Sequence, residues 1–128
     1  FLRDVKKREE PAWLARELEQ EDPAAVISLA AQEKRSPVCV ETMELFVRYL
    51  AHESTNLVLK HKATGGLFIG GGIPPKILPF LKKDNFHRSF IQCDRMQELV
   101  AAIPVKVILN DKTALLGAAY YGAFSGRN

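Results

Sequence analysis

The chain has 128 residues, enough for one domain or a piece of one. Apolar residues make up 47% and charged residues 26%, which excludes a disordered tail or a collagen. The net charge of +3 comes from 18 basic and 15 acidic residues, and Lys6-Lys7-Arg8 runs straight into Glu9-Glu10 as Lys82-Lys83 does into Asp84. No basic face is expected, and nucleic acid is not an expected partner.

Phe1 to Glu10 carries little pattern and reads as a frayed end or a truncated helix. Glu10-Pro11 then opens a short helix through Trp13, Leu14 and Leu18, and Asp22-Pro23 offers an N-cap with proline at the first helical position. Ser36-Pro37 repeats the device. From Val38 to Lys60, Met43, Phe46, Val47, Leu50, Ser54, Leu57 and Val58 recur at steps of three and four or beside them. That is one face of a helix, about 35 Å long. Ala51 and Ser54 are small and would let another backbone approach.

Ala63-Thr64-Gly65-Gly66 breaks that helix. Leu67-Phe68-Ile69, apolar without alternation and bounded by glycines, reads as a strand covered on both faces in a parallel sheet. Gly70-Gly71-Gly72 follows, then Ile73-Pro74-Pro75 and a helix through Lys76 to Leu81. Lys82 to Asn85 reads as a polar loop, with Phe86 and Phe90 beyond it. Asp94 and Gln97 are spaced as a capping box for a helix through Leu99 and Val100. Val105 to Leu109 is a second strand, and Asn110-Asp111 can cap a closing helix from Thr113. Together this predicts a helix-rich α/β fold with about two parallel strands. Two strands are few for such long helices, and a start at Phe1 rather than Met suggests a partial domain whose other strands are encoded upstream.

Thr113 to Gly126, the longest uncharged stretch, falls short of the about 20 apolar residues that span a membrane. Cys39 and Cys93 form no disulfide framework and no C-x-x-C signature. With no secretory signal at the start, they read as free thiols of a cytoplasmic protein. His52, His61 and His87 have no metal-ligand spacing.

The glycine triplet carries the chemistry. Ligands of open α/β sheets sit beyond the carboxyl ends of strands. Gly70, Gly71 and Gly72, lacking Cβ, let the backbone meet a base, ribose or phosphate, and the helix beginning with Ile73 and Pro74 would aim its free N–H groups at the same place. The alternative is a structural turn, with glycines for close helix–strand packing. The dinucleotide fingerprint fails, because Pro75 stands where its third glycine belongs, and no glycine precedes the lysine–serine or lysine–threonine pair of a P-loop.

Thr64-Gly65-Gly66-Leu67-Phe68-Ile69-Gly70-Gly71-Gly72-Ile73-Pro74-Pro75-Lys76-Ile77-Leu78 resembles the adenosine-site segment of bacterial glucokinases of the non-ROK, hexokinase/actin/Hsp70 superfamily. Asn56-Leu57-Val58-Leu59, Phe86 to Phe90, Ala102-Ile103-Pro104-Val105 and Leu115-Leu116-Gly117-Ala118-Ala119 extend the resemblance, in order, over Asp22 to Phe124. Thr55 departs from it, standing where the family usually has glycine; Ser54 and His52 are also atypical.

The resemblance implies a carboxy-terminal portion of an actin-like ATPase (ribonuclease H-like) large domain, spanning residues 1–128. It further implies transfer of the γ-phosphoryl of ATP to glucose with Mg²⁺ in the complete enzyme. Gly70, Gly71, Gly72, Ile73 and Pro74 would bind the nucleotide, and Lys76 could reach a phosphate. The family's Asp-x-Gly-Gly-Thr turn, Asn-Asp catalytic aspartate and Glu-x-x-His sugar segment are absent from these residues, so no catalytic residue is expected here and glucose would bind through the upstream part. This chain alone is expected to be inactive. Tyr120-Tyr121 would mark a surface for another domain or a homodimer partner. The competing reading is a non-catalytic, sugar-kinase-like regulatory or interaction module.

Overall fold

A computed structural model describes residues 2 and 4–125. The amino-terminal residues among them form turns, with Leu2 buried and Arg8 paired to Glu41 at 3.1 Å. Helix α1 (Ala12–Gln20) and α2 (Pro23–Gln32) follow. Asp22 caps α2 as its sequence suggests, accepting from the Ala24 N–H, with Pro23 at the first position. Helix α3 (Pro37–His61) is the long one. Ser36 does not cap it: the residue is wholly buried and its hydroxyl makes no hydrogen bond. Both α2 and α3 end on a lysine in the left-handed region, Lys34 (φ 56°) and Lys62 (φ 50°). At each end a doubled turn satisfies the last carbonyls, for example Ala63 N–H to Val58 O at 2.9 Å.

The buried face of α3 consists of Cys39, Met43, Val47, Ala51, Ser54, Thr55 and Val58. Phe46 and Leu57, expected on that face, are 41% and 43% exposed. They sit one step off the stripe, which narrows at small Ala51 and Ser54. The backbone that approaches there belongs to α6 (Asp84–Phe90). The Phe90 carbonyl lies 2.5 Å from Thr55 Oγ1, and Phe86 and Phe90 stack beneath it with centroids 6.0 Å apart. Helix α6 occupies part of the supposed loop, with Asp84 in its first turn.

Strands β1 (Leu67–Ile69) and β2 (Val105–Val107) pair in parallel, Leu67 opposite Val105 and Ile69 opposite Val107. The sheet is covered on one face only, a correction to the sequence reading. Leu67, Ile69, Val105 and Val107 pack on the core, while Phe68 is 62% exposed with the Lys106 ammonium 5.7 Å from its ring centroid. Three residues are too few to display the alternation that separates a half-covered strand from a buried one.

Between the strands, the single helix expected after the glycines is two short ones, α4 (Ile73–Lys76) and α5 (Leu78–Leu81), divided at Ile77. No capping box forms at Asp94, which has φ 47° and lies in a 3₁₀ turn (Asp94–Met96) leading to α7 (Gln97–Ala101). Helix α8 (Thr113–Phe124) closes the fold. Asn110, not Asp111, organises its start: Oδ1 accepts from Lys112 N–H and the carbonyl from Thr113 Oγ1. No residue of α8 is buried. No described helix is long and apolar enough to cross a membrane.

Candidate functional site

The chain leaves β1 at Ile69 and runs out through three exposed glycines, which are glycines for different reasons. A Cβ on Gly70 would come within 3.2 Å of Ile108 Cδ1, the far end of a flexible side chain. Gly71 has φ +106°, a conformation L side chains rarely adopt, with open space around it. Gly72 has φ −76° and ψ −18°, and nothing lies within 4 Å of the position a Cβ would take. Neither backbone conformation nor packing within this chain demands glycine at 72.

The turn leads to a groove of about 500 Å³ between α2, α3 and α4. Ile27 and Leu29 of α2, Met43 and Phe46 of α3, and Ile73 and Ile77 form its apolar lining. Leu29, Phe46 and Ile73 are 54%, 41% and 58% exposed, so three helices present apolar side chains to solvent around one hollow. The hydroxyls at its edge are already engaged, Thr42 with Val38 O and Ser28 with Ala25 O. Gln32 donates from Nε2 to Lys76 O at 3.2 Å. Such a groove suits a flat, weakly polar ring system held by apolar contact. A larger hollow of about 850 Å³ between α2, α3 and α5 has the charged residues Lys34, Glu41, Glu44 and Lys83 on its walls.

Of the expected residues the structure brings Ile73 and Lys76 to this groove; Gly70, Gly71 and Gly72 precede it and do not line it. Helix α4 has only four residues, two of them proline. It offers few N–H groups and little dipole to a phosphate. Pro74 is buried and serves packing. Lys76 is exposed and has no ion-pair partner among the described residues. Asn56 is remote from chemistry, its amide bonded to Glu53 one turn back. Trp13 packs under the Arg35 guanidinium, 4.1 Å from the ring centroid.

No group of three or more His, Cys, Asp or Glu side chains among the described residues could hold a metal. Asp22, the carboxylate at the groove's edge, is occupied as the α2 cap. The residues present therefore do not fit Mg²⁺. Burial pushes the thiols of Cys39 and Cys93 up from their ordinary value, which disfavours the thiolate. The groove's walls, Leu29, Phe46 and Gln32, are not visible as a site in sequence. The off-stripe position of Phe46 is the nearest thing to a signal.

A family model described as Glucokinase matches residues 2–124. Among curated relatives, a glucokinase of Nostoc punctiforme is 43% identical over 96% of this chain. One of Synechocystis is 45% identical over 86%, and one of another Nostoc strain is 40% identical over 96%. The chain spans 39%, 32% and 39% of those relatives' own lengths.

Proposed function

The chain belongs to the glucokinase family, and from that premise we propose that it forms the nucleoside-binding wall of an ATP-dependent glucokinase. The complete enzyme would convert ATP and glucose to ADP and glucose 6-phosphate. The observation that carries this reading is Gly72: a glycine that neither its φ nor packing among the described residues requires, directly before Ile73 in the wall of an apolar groove. A side chain there would project into the space a ribose occupies. The purine would lie against Ile73, Leu29 and Phe46. Gly70 and Gly71 would continue the shelf, and Pro74 would fix the course of the backbone behind Ile73.

Phosphoryl transfer depends on positioning and charge stabilisation, with a carboxylate to accept the hydroxyl proton. The described residues lining the groove hold neither a free carboxylate nor a metal site, so both tasks fall to the upstream part of the enzyme, with Mg²⁺ arriving on the nucleotide. In this reading the chain is the carboxy-terminal half of an actin-like large domain, working in the cytoplasm. Its open sheet face and α8 would be covered by the rest of the protein or by a second subunit.

The test is glucose-dependent formation of ADP. The complete polypeptide carrying these residues should turn over, and the isolated 128-residue chain should not. Absence of turnover by the complete protein would favour a non-catalytic module. Turnover by the isolated chain would mean that the proton acceptor lies within these residues.

A further inference from the structure

Helix α4 is the least secured wall of the groove, a single turn containing Pro74 and Pro75. In a continuous helix the Lys76 carbonyl would accept from residue 80, or from residue 79 in a tighter turn. Residue 79 is Pro79, which has no N–H, and the Phe80 N–H is given to Ile77 O at 2.9 Å instead. The carbonyl thus orphaned is met from another helix: Gln32, the last residue of α2, donates Nε2–H to it at 3.2 Å. The amide has one workable orientation, since a carbonyl partner demands the NH₂ end. Gln32 and Lys76 both line the groove, so this bond ties α2 to α4 in its wall.

We propose that Gln32 is a positioning residue for the nucleotide, holding the α4 wall at the distance a purine needs; this rests on the nucleotide reading above. The bond is exposed, so water replaces it at little cost to folding. Its loss should therefore appear in ligand placement and not in stability.

The experiment uses the complete enzyme. Gln32→Ala should raise KM for ATP about tenfold while kcat, glucose KM and melting temperature stay close to wild type. Gln32→Glu keeps the shape but has no N–H to give and should behave like Gln32→Ala. Pro79→Ala restores a backbone donor three residues past Lys76, and added to Gln32→Ala it should recover most of the ATP KM. An unchanged ATP KM in Gln32→Ala, or a parallel rise in glucose KM, would overturn the proposal. Gly72→Asp separates this from the underlying reading. If Gly72→Asp raises ATP KM and Gln32→Ala does not, the positioning role alone fails; if Gly72→Asp leaves ATP KM unchanged, the nucleotide reading fails and the proposal with it.

Discussion

Each residue of the glycine triplet answers a different constraint, and substitution can separate them. Gly71 has positive φ and Gly72 does not. Gly71→Ala should therefore destabilise the fold by about 1 kcal/mol or more, whereas Gly72→Ala should be neutral or stabilise it by about 0.4–1 kcal/mol, through the entropy of the unfolded chain. Urea midpoints would show the difference. In the complete enzyme Gly72→Ala should nonetheless raise the ATP KM, gaining stability while losing affinity. The triplet is plain in the sequence, but its internal division is not, because φ is set by how the turn leaves β1 and residue type does not report it. The helix stops show the same limit. The glycines after residue 62 point to a break, yet the left-handed residue is Lys62, a type with no preference for that conformation.

At the scale of elements, α3 was legible because its apolar spacing persists over six turns. Helix α6 was not: seven residues with Phe86 and Phe90 four apart give too short a pattern to outweigh the polar loop before it. Among the described residues, two hydrogen bonds join α6 to α3: Asn85 Nδ2 donates to Glu44 O, and Thr55 acts in the buried core. Its hydroxyl bonds to Phe90 O, one of the last-turn carbonyls left without a helical partner. Thr55→Val keeps the shape but leaves that carbonyl buried and unsatisfied, which should cost about 1–3 kcal/mol; chemical denaturation would measure it. The sheet was legible in number and direction of strands. Its open face was not, since Phe68 flanked by Leu67 and Ile69 reads as apolar throughout.

Across the whole molecule, apolar surface is left over. Helix α8 holds Leu115, Leu116, Tyr120, Tyr121 and Phe124, each more than half exposed, and the sheet leaves Phe68 bare. Under the proposed function this surface would be covered by the rest of the enzyme or a second subunit. In the isolated chain, Leu116→Ser with Tyr121→Ser should shift stability by no more than about 0.5 kcal/mol, the range of surface changes, while light scattering shows less self-association. If the rest of the enzyme covers α8, as proposed, the same pair should destabilise the complete protein.

The parallel pairing of β1 with β2 has its own consequence for how the molecule forms. Leu67 meets Val105 only after everything from Gly70 to Ile103 has been gathered into a crossover, and closing so long a loop costs entropy before any contact repays it. The three amino-terminal helices need no such closure and can associate early. The shelf and its α4 wall lie inside that crossover, so a change that loosens them also lengthens the loop that strand pairing has to close.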